Sequence, residues 1–133
     1  MKAVPKRIRV GGFPLGHYAV DLFVWPKDRG GEYYTNPDNK SPPRIYVGLD
    51  YSSWEQCVKI LLHETFELAG DIHNTRYVVA GDLNHDHSDY LFVFDHVTMG
   101  RIIAYQAAFV TPALPELAKL YKRFHDKKKR GES

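Results

Sequence analysis

The sequence predicts a single α+β domain, in which a small mixed sheet packs against one central helix and one or two C-terminal helices. Two observations support this fold class. Alternating apolar and polar residues, the period of a strand, occur in the first 50 residues, whereas segments with helical spacing follow in the middle and near the end. The 133 residues can bury one hydrophobic core, so we expect one domain spanning 1–133.

The first third of the chain is expected to supply most strands. Residues 7–10, 17–25 and 44–49 are strand candidates, and the glycine-rich stretch 11–16 between the first two predicts a turn. Residues 27–43 are rich in Gly, Asn, Asp and Pro, which predicts a long exposed loop.

The central helix is the strongest local signal. Ser52 and Ser53 each precede a Glu or Gln by three residues, the spacing of a capping box. Gly70 is a natural stop, so the pattern predicts a helix over 54–69. Apolar and small residues recur at helical spacing and predict a core-facing stripe. They are Trp54, Val58, Leu61, Leu62, Thr65 and Leu68.

Beyond this helix, residues 77–80 form a short strand candidate and 81–89 a polar loop. The apolar run 90–94 is compatible with a strand or with the approach to the next helix. Residues 98–109 have helical spacing. Pro112 and Pro115 are expected to break that helix, and a last helix is predicted over 115–124.

The net charge of +2 is unevenly distributed, because basic residues cluster at the C-terminus. We expect a basic, frayed helix end from about residue 125, whose cations complement the helix dipole. Contact with a polyanion is the alternative. Nucleic acid is not the expected partner, because no aromatic residues are interleaved with the tail. The basic residues are Lys119, Lys122, Arg123, Lys127, Lys128, Lys129 and Arg130.

The rest of the composition bears on compartment. No apolar run is long enough to cross a bilayer, and no signal peptide is recognisable. Cys57 is the only cysteine, which excludes an internal disulfide and a cysteine-based zinc site. We therefore expect a cytoplasmic protein without a membrane partner.

Three residues of the central helix have the chemistry of a metal site. His63 and Glu67 are four residues apart, so imidazole and carboxylate can converge on one divalent ion, with zinc the first candidate. Glu64 is rotated by about 100°, where a carboxylate can act as general base on metal-bound water. The apolar residues before His63 predict that its surroundings are partly buried. The alternative is a hydrogen bond between His63 and Glu67, with Glu64 solvated.

A third ligand must come from outside the helix, because catalytic zinc usually has three protein ligands and an open position. His96 is the first candidate, and the adjacent Asp95 could orient an imidazole or ligate directly. His85 and His87 are alternatives, although solvation is favoured for their polar loop. His73 is a weaker candidate, and His17 and His125 are expected to have no role.

Three segments together resemble the small zincin-type (HExxE) metallopeptidase-like proteins encoded by phages and prophages. They are Leu-Leu-His-Glu-Thr-Phe-Glu at 61–67, Phe-Val-Phe-Asp-His at 92–96 and Ala-Leu-Pro-Glu-Leu at 113–117. The resemblance implies a minimal zinc-peptidase scaffold with one Zn²⁺, held by His63, Glu67 and His96, and Glu64 as catalytic base. The main zincin pattern has histidine where this chain has Glu67, and a carboxylate there makes the metal a weaker Lewis acid.

Two functions are expected on these grounds. The first is a zinc-dependent hydrolase acting on a peptide, a protein or another amide. Tyr33 and Tyr34 of the long loop are candidates to line its cleft, although ordinary loop packing is slightly favoured for them. The second is a non-catalytic phage protein stabilised by metal, either a virion component or an accessory protein that binds a host or phage protein. The second would be favoured by an exposed aromatic patch that includes Tyr33, Tyr34 or Tyr51. A phage-encoded chain would act in the host cytoplasm or in the virion. The ligand set would also suit other divalent ions.

Overall fold

A computed structural model describes residues 6–35, 41–78 and 90–131 and confirms the α+β fold class. None of the helices in these ranges is both long and apolar enough to cross a membrane. The helices and strands, in chain order, are β1 (Ile8–Leu15), β2 (Tyr18–Trp25), β3 (Gly31–Tyr34), β4 (Arg44–Gly48), α1 (Trp54–Ile72), β5 (Arg76–Val78), β6 (Tyr90–Phe92) and α2 (His96–Lys129).

The main sheet has the strand order β1-β2-β4-β3, and β5 pairs with β6 in a separate two-stranded sheet. In the main sheet β2 and β4 are parallel, whereas β1 and β3 pair antiparallel with their neighbours. Six side chains on one face are completely buried and, with residues of both helices, form the core. The buried strand residues are Leu15, Val20, Leu22, Val24, Ile45 and Val47.

Two predictions about the first 43 residues were wrong. The predicted turn at 11–16 is mostly strand, because β1 continues to Leu15 through a bulge between Arg9 and Gly11. The chain turns at Gly16, which has a positive φ of 64° and no room for a Cβ beside the Tyr105 ring. The predicted loop 27–43 contains β3, which pairs with β4 along its whole length.

Helix α1 begins as predicted, with the Ser53 side chain accepting a hydrogen bond from the Gln56 backbone N–H at 3.4 Å. It does not end at Gly70 but continues to Ile72. Gly70 is buried, and a Cβ there would lie 2.9 Å from Cε1 of Phe92. This glycine therefore permits the β5–β6 hairpin to pack on the helix rather than stopping the helix. Leu62, predicted to face the core, is 42% exposed.

Cys57 gives a simple test of the packing between α1 and the sheet. Its side chain is fully buried, and burial raises the pKa of the thiol to about 12. We expect no reaction of the native protein with a disulfide reagent such as DTNB at pH 8, and one thiol released per chain in denaturant. Rapid stoichiometric labelling of the native protein would contradict this packing.

Helix α2 is continuous, so the predicted break at Pro112 and Pro115 was wrong. An interior proline costs about 3 kcal/mol because it removes a backbone hydrogen bond. Both prolines are exposed, whereas the buried residues Phe109, Ala113 and Leu117 follow one another at four-residue spacing through the same segment. Continuous packing of this face on the core offsets the cost of the prolines.

The C-terminal end of α2 also differs from the frayed end expected from about residue 125, because the helix continues to Lys129. A hydrogen bond joins His125 Nε2 to the Leu49 carbonyl at 3.1 Å, and Lys128 Nζ pairs with Asp50 Oδ1 at 2.8 Å. These contacts hold the last turns against the loop that connects β4 to α1. His125 therefore has a structural contact that its position in the sequence did not indicate.

Candidate metal site

One turn of α1 brings together the three residues predicted from the sequence. His63 Nδ1 lies 3.3 Å from Glu64 Oε1, and His63 Nε2 lies 3.4 Å from Glu67 Oε1. One donor atom from each of the three side chains lies within 4.8 Å of the others. The imidazole thus faces a carboxylate with each of its ring nitrogens.

The three side chains differ in exposure, and the order is not the one expected. The side chain of His63 is 58% exposed, that of Glu67 is 16% exposed, and that of Glu64 is only 8% exposed. Glu64 follows Leu61 by three residues and precedes Leu68 by four, so it lies on the buried stripe of the helix. The alternative, in which Glu64 is solvated, was therefore wrong. The surroundings of His63 are partly buried, as Leu61 and Thr65 show, although the imidazole itself is exposed.

Strand β3 covers Glu64. A Cβ at Gly31, the first residue of β3, would lie 2.7 Å from Cγ2 of Ile60 and 2.8 Å from Cγ of Glu64. The lack of a side chain at Gly31 therefore allows the edge strand to lie directly against this turn of α1. Sequence analysis missed Gly31, because the pattern of residues 27–43 predicted a loop.

Burial of Glu64 beneath β3 affects the pKa of its carboxyl group. Burial raises the pKa of Glu64, the hydrogen bond with His63 opposes the rise, and the negative charges of Glu67 and Glu32 add to it. A divalent cation bound beside Glu64 would oppose this rise, because it favours the charged carboxylate.

The predicted third ligand is not part of this group. His96 is the first residue of α2, is exposed, and is not among the donors that converge with His63 in the described ranges. Helix α2 contacts α1 near the site through Gln106, whose Nε2 donates to the Leu62 carbonyl at 2.8 Å. Ten residues of helix separate His96 from Gln106 by about 15 Å along the axis. His96 as third ligand stays a prediction.

Four other residues are candidates for the third ligand. Asp95 is the N-cap of α2 and accepts a hydrogen bond from the Thr98 backbone N–H at 2.8 Å, which lowers the pKa of Asp95. This hydrogen bond gives Asp95 a local structural role. His85 and His87 lie outside the described residues. His73 ends α1, with Nδ1 2.7 Å from the Ala69 carbonyl oxygen.

The three tyrosines of the predicted cleft or patch do not form one exposed surface. Tyr34 is 41% exposed, and its hydroxyl donates to Glu32 Oε2 at 2.5 Å. Tyr33 is partly buried against the core, and the Tyr51 hydroxyl accepts a hydrogen bond from the Gly30 backbone N–H. The exposed patch that would have favoured a non-catalytic binding protein is therefore limited to Tyr34.

The distances test whether the donors fit a metal. Ligands about 2.1 Å from a tetrahedral zinc lie about 3.4 Å from one another, which matches the 3.4 Å between His63 Nε2 and Glu67 Oε1. The same 3.4 Å is also the separation of an i,i+4 contact between histidine and glutamate. The distance is therefore compatible with shared ligation and with the direct intrahelical contact that was the alternative.

Comparison of the chain with protein-family models, with curated proteins and with solved structures found no match. The resemblance to zincin-type proteins therefore rests on three short segments of the sequence alone. The function of the chain has to be argued from the side chains of α1 and the strand that covers them.

Proposed function

We propose that this chain is a zinc-dependent hydrolase that acts on a peptide or another amide. The observation that carries the proposal is the convergence of His63, Glu64 and Glu67, whose donor atoms lie within 4.8 Å of one another on one turn of α1. The 3.4 Å between His63 Nε2 and Glu67 Oε1 is compatible with two ligands of a shared tetrahedral ion. Beside this pair lies a buried carboxylate, Glu64, whose pKa burial raises.

In this proposal the three side chains have separate roles. His63 and Glu67 would hold the ion, which would supply polarisation of the amide carbonyl and activation of water. Glu64 would act as the general base that accepts a proton from the attacking water and as the acid that returns it to the leaving nitrogen. Its cover by β3 keeps bulk solvent from the carboxylate. The high exposure of His63 leaves the outer side of the site open to a substrate.

The second candidate is a metal-stabilised protein without catalysis, such as a virion component or an accessory protein that binds a phage or host protein. One observation favours it: a donor atom of Glu64 lies within 4.8 Å of the other two donors, close enough for Glu64 itself to ligate. Three ligands from one helix turn would stabilise this turn of α1 beneath β3. A fourth protein ligand would close the coordination shell, as is typical of structural sites.

The first experiment is elemental analysis of the purified protein. We expect about one zinc per chain in the wild type and in Glu64→Gln, and loss of zinc in His63→Ala and Glu67→Gln. His17→Ala, which removes an exposed histidine of the β1–β2 turn, is the matched control and should keep its zinc. His96→Ala tests the third ligand independently. A wild type that takes up no metal when zinc is supplied would refute both candidates.

Catalysis, rather than metal binding, distinguishes the two candidates. In both, a chelator should lower the melting temperature, since a ligand present at 100 times its Kd stabilises the native state by about 2.7 kcal/mol. Only the hydrolase predicts cleavage of a quenched fluorescent peptide library by the zinc-loaded wild type. Zinc-dependent stability without cleavage, together with zinc loss in Glu64→Gln, would favour the structural role.

A further inference from the structure

A cavity of about 520 Å³ lies where the C-terminal half of α2 meets the ends of β1, β2 and β4. None of the three candidate metal-site residues lines it. Its apolar lining residues are buried or half-buried: Ile8, Pro26, Leu49, Leu120 and Phe124. Its cationic lining residues are exposed and so form the rim: Lys6, Lys27, Arg123, Lys127 and Lys128. The cavity therefore combines an apolar wall with a basic rim.

The cations of the rim come from several segments of the chain, which distinguishes the rim from an ordinary helix end. The helix dipole accounts for basic residues in the last turn of α2. It does not account for Lys6, which precedes β1, or for Lys27, which follows β2, yet both line the same cavity. Among the lining residues that the structure describes, Asp50 is the one carboxylate, and Lys128 pairs with it at 2.8 Å. The other four cations have no second carboxylate beside them among the described lining residues.

We propose that this cavity binds a small amphipathic anion, namely a monomeric long-chain carboxylate. The hydrocarbon chain would lie on the apolar wall, and the carboxylate would lie among the cations of the rim. The volume is within the range of about 300–1,000 Å³ that is typical of small-molecule sites. A single-stranded nucleic acid fits less well, because Phe124 is the one aromatic ring among the described lining residues and base stacking needs several exposed rings.

The test is calorimetric titration of the full chain with octanoate, decanoate and dodecanoate, each below its micellar concentration. We expect one site per chain, with Kd decreasing about fourfold for each added methylene that the wall buries. Dodecanol, which has the same chain without the charge, should bind at least tenfold more weakly than dodecanoate.

Charge reversal locates the site. Lys127→Glu and Lys27→Glu should each weaken dodecanoate binding about tenfold or more. Lys129→Glu is the matched control, because it makes the same change two residues further along α2 at a position that does not line the cavity. Its Kd should stay within twofold of the wild type. Unchanged melting temperatures would show that all three variants fold.

Four outcomes would overturn the proposal. The first two are that dodecanoate does not bind and that dodecanol binds as tightly as dodecanoate. The third is that Lys127→Glu and Lys129→Glu weaken dodecanoate binding equally. The fourth is competition by a single-stranded oligonucleotide whose own binding falls steeply with salt.

Sedimentation of the wild type can give a fifth contradicting outcome. A dimer that Lys127→Glu dissociates would show that a second copy of the chain covers the cavity.

Discussion

Glu64→Gln is expected to lower the hydrolytic rate of the zinc-loaded protein by about 10²–10⁴-fold, the usual contribution of a general base. Glutamine has nearly the same shape as glutamate, so it can occupy the space beneath Gly31. It cannot accept and release a proton. Because His63 and Glu67 are unchanged, zinc content should stay near that of the wild type.

The measurement is the initial rate of peptide cleavage, with zinc content and melting temperature determined on the same samples. Glu67→Gln is the matched control, since it makes the same chemical change three residues away and should lose activity together with zinc. A Glu64→Gln protein that binds zinc and cleaves at the wild-type rate would remove Glu64 from the mechanism. An inactive Glu64→Gln protein without zinc would make Glu64 a ligand instead.

The sequence allowed the helix of the site to be predicted because the relevant forces are local. A serine cap and apolar residues at helical spacing determine where α1 begins and which side faces the core. The spacing of His63 and Glu67 then places their donors together on one turn. Each of these inferences uses residues less than 20 positions apart.

The exposure of the site could not be predicted because it depends on a distant strand. Glu64 is buried through Gly31, which precedes it by 33 positions and lies in a segment of loop-like composition. β3 forms there because it can pair with the free edge of β4. Local propensity does not take such pairing between distant segments into account. The imidazole of His63 is exposed although Leu61 is buried, since successive residues of a helix point to different sides.

Helix α2 also shows that local rules miss contacts made by the folded chain. Those rules predict a break at Pro112 and Pro115, and they are correct that an interior proline destabilises a helix. They do not include the buried stripe that continues on the same helix through Phe109, Ala113 and Leu117. Tertiary packing therefore outweighs the local preference, as it commonly does for helices in folded domains.

Gly48→Ala is expected to destabilise the protein by about 3 kcal/mol, at the upper end of the cost of overpacking. The added Cβ would overlap the Asp28 carbonyl oxygen and lie 2.7 Å from the Arg29 Cα. Both are backbone atoms, which cannot turn away as a side chain can. For a domain of this size we expect the melting temperature to fall by roughly 10 °C.

Gly100→Ala is the matched control, because the same methyl group is added at a site in α2 with no neighbouring atom within 4 Å. Alanine is favoured over glycine in a helix, so the free energy of unfolding of this variant should rise by up to about 1 kcal/mol.

The consequence for function comes from the hydrogen bond that Gly48 N–H donates to the Gly30 carbonyl at 2.8 Å. That bond holds the turn leading into β3, so displacing it should also uncover Glu64 and reduce the zinc-dependent activity of Gly48→Ala. A Gly48→Ala protein as stable as Gly100→Ala would show that residues 28–30 do not pack beneath β4, and the cover proposed for Glu64 would lose its support.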